Sequence, residues 1–67
     1  MPPLPQISST QLIKTLIRLG FTQRSGKGSH TVLRRGATVC VVPHRNPIPQ
    51  GTLRNVLRQA GVDASEL

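Results

Sequence analysis

The residues of this chain that could take part in chemistry centre on the segment Gly26-Lys27-Gly28-Ser29-His30. An imidazole titrates close to neutral pH, so His30 could act as a general base or a general acid. Gly26 and Gly28 allow a backbone to approach a phosphate closely, and Lys27 supplies a cation beside it. The segment therefore indicates a site for an anionic substrate, although Gly-x-Gly turns and half-exposed strand histidines are also common structural features.

Two further residues could be reactive. His44 lies in a loop after an apolar run and could contact a phosphate or a partner, or belong to a solvated turn. Two histidines are too few for a metal site, and no cofactor is expected. Cys40 is interpreted as a small core hydrophobe, because its neighbours are apolar. A single cysteine, with no signal peptide or transmembrane run, favours a cytoplasmic protein.

The charge of the chain is strongly one-sided. Nine Lys and Arg residues against Asp63 and Glu66 give a net charge of +7, and both acids lie in the last five residues. Catalysis by paired carboxylates and oxygen-ligand sites for Mg²⁺ or Ca²⁺ are excluded, because both need acidic side chains close together. The cations favour a nucleic acid over an anionic membrane, since neither predicted helix carries large apolar wedges. Phe21 is the only aromatic residue, so stacking of splayed bases on aromatic rings is not expected.

The basic residues that could form a surface for a polyanion are Lys27, Arg34, Arg35, Arg45, Arg54 and Arg58. Gly51, near the start of the second predicted helix, would leave amide groups accessible to an anion. Arg54 and Arg58 could contact RNA or pair with acidic residues of a protein partner. The sequence does not separate these two alternatives.

The first helix is marked at both ends. Ser8 and Gln11 fit a capping box, and the helix is predicted from about Ser9 to Leu19. Gly20 suits the left-handed residue that follows the helix, and it places Phe21 where it can contact the last helical turn.

Alternation of apolar residues and turn signals predict three strands in an antiparallel meander. The strands cover residues 21–25, 30–34 and 37–42. Val32 and Leu33 are both apolar, so the pattern does not decide which of them faces the core. The direction in which His30 points is left open for the same reason.

A second helix is predicted to begin with Pro49 at its first position and to end at Gly61. Its apolar face consists of Leu53, Val56, Leu57 and Ala60. Two helices on one face of a three-stranded antiparallel sheet make a two-layer α+β domain. This single domain is predicted over residues 7–67, after an extended tail over residues 1–6 that holds three prolines.

These residues resemble the HicA toxins, also called YcfA-like, of bacterial toxin–antitoxin pairs, and the resemblance runs from about Ser8 to Val62. It rests on Leu19-Gly20-Phe21, on Lys27-Gly28-Ser29-His30, on Val41-Val42-Pro43-His44 and, most specifically, on Ile48 to Gly61, IPQGTLRNVLRQAG. The sequence departs from the usual family pattern at Pro47, where a polar residue is more frequent, and at Gln50, where a lysine is common.

The resemblance implies an α-β-β-β-α fold similar to a double-stranded-RNA-binding domain. It also implies cleavage of messenger RNA, held in check by a HicB-type antitoxin, and it assigns the catalytic histidine to His30. The residues expected to contact RNA are Lys27, Gly28, Ser29, Arg34, Arg45 and Arg54, with His44 as an auxiliary residue.

The expected reaction is metal-independent transesterification, in which neutral His30 removes the proton of a ribose 2′-hydroxyl that attacks the adjacent phosphate. The acid for the leaving oxygen is open among Lys27, His44 and water. Two alternative functions remain open. One is a non-catalytic double-stranded-RNA-binding module with the same topology, and the other is an interaction domain that recognises an acidic protein.

Overall fold

The computed structural model describes residues 4–67, and at residues 25–27 it describes the backbone alone. The elements are α1 (Ser9–Arg18), β1 (Thr22–Lys27), β2 (His30–Arg35), β3 (Thr38–Pro43), α2 (Gln50–Ala60) and a short 3-10 turn (Ala64–Glu66). The strands form one antiparallel sheet in the order β1-β2-β3, and both helices pack on one of its faces. The predicted α-β-β-β-α fold is confirmed.

Helix α1 begins with the predicted capping box. The Ser8 hydroxyl accepts a hydrogen bond from the Gln11 amide at 3.2 Å, and the Gln11 side chain accepts one from the Ser8 amide at 3.1 Å. The Ser9 amide donates to the Arg45 carbonyl at 3.0 Å, so the start of α1 is tied to the loop before α2. The helix ends at Arg18, one residue before the predicted end.

Two sets of contacts stabilise the C-terminal end of α1. Gly20 has a φ of +100°, and the Phe21 amide donates to the Leu16 carbonyl at 3.0 Å, as the predicted glycine cap requires. Arg35 provides the second set: its guanidinium donates to the Leu19 carbonyl at 2.8 Å and lies 4.6 Å from the centre of the Phe21 ring. Arg35 therefore stabilises the end of α1.

The register of β2 decides which of its residues face the core, which the sequence pattern left open. Thr31 and Leu33 are buried, 3% and 0% exposed, and face the helices. His30 and Val32 consequently lie on the opposite face of the sheet, because successive strand residues point to opposite faces. Strand β1 pairs with β2 through a bulge at Arg24, where one extra residue enters the ladder.

Helix α2 begins one residue later than predicted. Pro49 has a φ of −56° and a ψ of 144°, so it is the residue before the helix, and its carbonyl accepts from the Leu53 amide at 2.8 Å. The predicted stop is confirmed: Gly61 has a φ of +67°, and the Val62 amide donates to the Leu57 carbonyl at 3.0 Å.

The segment before α1 is extended and docked on the domain from Leu4 onward. The Leu4 amide donates to the Gln50 side-chain oxygen and the Gln50 side-chain nitrogen donates to the Leu4 carbonyl, both at 2.8 Å. The Ile48 amide also donates to the Ile7 carbonyl at 2.9 Å. Gln50, one of the departures from the family pattern, thus anchors the segment that was predicted as a tail.

One aliphatic core joins the two layers. Its buried members are Leu12, Leu16, Phe21, Leu33, Cys40, Val42, Ile48, Leu53, Val56, Leu57 and Ala60. Burial raises the pKa of the Cys40 thiol above its ordinary value, which suppresses the reactive thiolate, and Cys40 is a core residue as predicted. Within residues 4–67, no helix is both long and apolar enough to cross a membrane.

Gly61→Ala and Gly51→Ala are expected to change stability in opposite directions. Both glycines have open space around them, but Gly61 has a φ of +67°, where an alanine is strained by about 1 kcal/mol. Gly51 has an ordinary helical φ, so alanine there should stabilise α2 by roughly 0.5 kcal/mol. Urea unfolding measures both changes, and a shift of the same sign in the two variants would contradict the assignment of Gly61 as the helix cap.

Candidate functional site

His30 is the first residue of β2 and follows the turn formed by Gly28 and Ser29. Its side chain is exposed on the sheet face opposite the helices. The ring nitrogen Nδ1 lies 3.0 Å from the Ser29 hydroxyl. Among the described residues no side chain binds the other ring nitrogen, Nε2, so that atom is available to exchange a proton with a ligand.

The turn before His30 has a shape that favours glycine. Gly28 has a φ of +57°, a backbone conformation that other residues seldom adopt, and no atom of the described side chains lies within 4 Å of where its own would be. The open space leaves room for a ligand to approach the backbone beside His30. Lys27 pairs with His30 across the hairpin through its backbone, and its side chain lies outside the described residues.

His30 opens into a cleft of about 310 Å³ between the outer edge of β3 and one side of α2. Polar side chains and exposed apolar strand residues line it together. The lining residues are His30, Val41, Pro43, Arg45, Thr52, Asn55, Val56 and Gln59. The cleft thus combines a titratable ring, a cation and several neutral hydrogen-bonding groups.

Arg45 is the predicted RNA contact that the fold brings to His30. It lies in the loop between β3 and α2, and its carbonyl accepts the Ser9 amide at 3.0 Å, which fixes the backbone from which the side chain projects. The Asn46–Pro47 peptide bond that follows is cis. The Arg45 side chain is exposed at the cleft and can offer its fork of N–H donors to a phosphate.

His44 lies on the opposite side of β2 from His30. Its Nε2 pairs with the hydroxyl of Thr31, which is 3% exposed and faces the helices. Its backbone amide donates to the Ser29 carbonyl at 2.7 Å. These two bonds hold the residues on either side of His30, so His44 supports the turn and does not share the cleft.

The other predicted cations are placed elsewhere. Arg34 is four residues from His30, roughly 13 Å along the strand, and donates to the Gly36 carbonyl at 2.7 Å. Arg54 projects from another side of α2, where it lines a separate and more apolar cleft with Leu4 and Leu57. Neither arginine lines the His30 cleft, so their predicted contact with RNA would have to extend well beyond it.

Sequence reasoning missed the three polar residues that α2 contributes to the cleft, Thr52, Asn55 and Gln59. Their spacing of three and four residues places them on one side of α2, and this was a signal that helical periodicity could have revealed. Nothing in the spacing shows that this side borders the same cleft as His30. That arrangement depends on how α2 lies against the edge of β3.

The described acidic side chains lie away from the cleft. Asp63 and Glu66 border a different depression with Leu19 and Arg35. The surroundings of His30 are therefore positive, and a negatively charged ligand meets no described carboxylate there. A phosphate group is the ligand that this field favours.

A comparison with models of protein families places this chain in a known group. The family described as "HicA toxin of bacterial toxin-antitoxin" matches residues 9–62, which covers α1 through α2 and includes the His30 cleft. No curated protein matches the chain. Because the family model spans most of the 67 residues, the chain belongs to the HicA toxin family and is the toxin of a toxin–antitoxin system.

Proposed function

We propose that this toxin is a metal-independent endoribonuclease that cuts messenger RNA, with His30 as the residue that moves the proton. The observation that carries the proposal is the exposed His30 ring in a cleft shared with Arg45. A proton acceptor and a phosphate-binding cation are two groups that RNA cleavage needs, and here they meet in one place.

The reaction begins when neutral His30 removes the proton of a ribose 2′-hydroxyl. The freed oxygen forms a bond to the adjacent phosphorus, and the bond from phosphorus to the 5′-oxygen of the next nucleotide breaks. The products are a 2′,3′-cyclic phosphate and a 5′-hydroxyl, whose oxygen takes up a proton. This chemistry requires no carboxylate, which suits a chain whose acids, Asp63 and Glu66, lie outside the cleft.

Ser29 and Arg45 have separate parts in this mechanism. The Ser29 hydroxyl, 3.0 Å from Nδ1, orients the ring so that Nε2 faces the substrate. Arg45 binds the phosphate and stabilises the charge that develops on it. The Nε2 atom of His44 is hydrogen-bonded to the Thr31 hydroxyl on the far side of β2. This argues against His44 as the acid and leaves water and Lys27 as candidates.

The partner that restrains this toxin is proposed to be a HicB-type antitoxin. Membership of the family supports an antitoxin partner. A cleft that is open along the edge of β3 can be blocked by a bound protein without any change in the fold of the toxin.

His30→Ala is expected to slow cleavage of RNA by roughly 10²- to 10⁴-fold, because the general base is lost. Its free energy of unfolding should stay within about 0.5 kcal/mol of the wild type, since the side chain is exposed. Gel analysis of a defined RNA incubated with purified protein measures the rate. EDTA should have no effect, and a 2′-deoxy nucleotide at the cut site should block the reaction.

Three results would contradict the proposed mechanism. Equal cleavage by wild type and His30→Ala, or a requirement for added metal, would overturn the mechanism. RNA binding that survives His30→Ala, with no cleavage by either protein, would instead favour a non-catalytic RNA-binding module.

His44→Ala serves as the matched histidine control and should give the opposite pattern. The buried Thr31 hydroxyl loses its partner, which should lower the free energy of unfolding by about 1–3 kcal/mol. Cleavage should persist at a reduced rate, because the ring of His44 does not line the cleft. Loss of cleavage as complete as in His30→Ala, with the stability unchanged, would assign His44 to the chemistry.

Arg45→Gln and Arg54→Gln separate the cation in the cleft from one outside it. Removal of Arg45 should slow cleavage about tenfold or more, because a charged hydrogen bond to phosphate is lost, and should reduce the salt dependence of binding by about 0.7 in the log–log slope. The loss with Arg54→Gln should be several-fold smaller. Equal losses would show that the RNA extends over both sides of α2.

A further inference from the structure

The side of α2 that borders the His30 cleft at the edge of β3 carries Thr52, Asn55 and Gln59, which we call the polar ridge. Their positions, separated by three and four residues, form a row along the helix. The row lines the same cleft as His30, the exposed Val41 and the half-buried Pro43. The mechanism proposed above uses none of the three side chains.

The amides of the polar ridge have free hydrogen-bonding groups. Asn55 is exposed, and among the described residues no side chain or backbone group pairs with its amide. The Gln59 oxygen accepts the Val41 amide at a long 3.4 Å, and in the described part of the chain no group accepts a hydrogen bond from the Gln59 side-chain NH₂. An amide side chain offers both a donor and an acceptor at fixed spacing, as the edge of a nucleobase does.

The opposite wall of the cleft suits the flat, weakly polar part of a nucleoside. Val41 is 37% exposed although it is a β-branched apolar residue, and Pro43 lies next to it on the same side of β3. The volume of about 310 Å³ is at the lower end of the range for ligand pockets, so the space admits about one nucleotide. No aromatic ring lines the cleft, so hydrogen bonds to the base edge have to supply the selectivity.

We infer that the polar ridge binds the nucleobase next to the cleaved phosphate, and that Asn55 is the main residue that determines which RNA sequences are cut. The inference rests on the proposed ribonuclease function and adds the contact that selects the substrate. His30 and Arg45 contact the sugar and the phosphate, which are the same in every nucleotide. The polar ridge contacts the base, which differs between nucleotides.

Asn55→Asp tests this assignment, because the carboxylate keeps the shape of the amide but only accepts hydrogen bonds. Bases that donate at that edge should be favoured and bases that accept should be disfavoured. The relative cleavage rates at different sites of one long RNA, measured by sequencing the new 5′ ends, should change by at least about fivefold. Gln23→Glu is the control, since it adds the same charge at an exposed strand position outside the cleft.

The pattern of the change distinguishes base contact from electrostatics. A contact with the base alters the ratios between sites, whereas a new negative charge near phosphate lowers all rates by the same factor. An unchanged site preference in Asn55→Asp, with or without a uniform loss of rate, would overturn the inference. A change of equal size in Gln23→Glu would overturn it as well.

A binding experiment separates failure of the inference from failure of the proposed function. In a His30→Ala background, the affinities for short homopolymers of A, C, G and U are measured with and without Asn55→Asp. A changed order of affinities supports the polar ridge even if the wild type cuts no RNA. An unchanged order, together with normal cleavage by the wild type, leaves the ribonuclease standing and rejects the ridge as its selective element.

Discussion

The geometry of the site depends on one constraint, the burial of alternate residues in β2. Thr31 and Leu33 face the core, so His30 has to point away from it. The buried hydroxyl of Thr31 would be costly if it were left without a partner, and the ring of His44 supplies one. The His44 amide also holds the Ser29 carbonyl, so the same residue fixes both neighbours of the catalytic candidate. The position of His30 therefore depends on the two hydrogen bonds that His44 makes to its neighbours.

The edge of the sheet explains why the cleft lies where it does. An outer strand presents unpaired backbone groups that could pair with another chain. In β3 the side chain of Gln59 covers the outward amide of Val41, and Pro43 has no N–H to offer at the end of the strand. The side of α2 that protects this edge is the side that forms one wall of the cleft. The same face of α2 thus covers the edge of β3 and forms part of the cleft.

Two of the basic residues bind backbone carbonyl groups of the fold. Arg35 closes the end of α1, and Arg34 binds the carbonyl of the turn after β2. Arg45 stays exposed beside His30, on a loop whose backbone is tied to the start of α1. The net charge of +7 favours a polyanion over the whole surface, whereas Arg45 places one cation in the same cleft as His30. Counting cations along the sequence does not make this distinction.

The sequence by itself determined the α+β fold and the capping residues of the helices, and it nominated His30 as the candidate for chemistry. These features rest on local chemistry: Ser8 and Gln11 cap one another within a single turn, and Gly20 and Gly61 each end a helix through their own backbone. The first helical position was wrong by one residue at Pro49, because proline also suits the extended residue before a helix.

Only the tertiary structure decided which way His30 points and what lies opposite it. Adjacent apolar residues in β2 fitted either register, and the choice came from packing against helices that are distant in the chain. The meeting of His30, Arg45 and Asn55 joins a turn, a loop and a helix face, and no spacing in the sequence encodes the distance between them. The reason is physical: capping and turn geometry act over a few residues, whereas a cleft forms only when the hydrophobic core fixes how separate elements lie against one another.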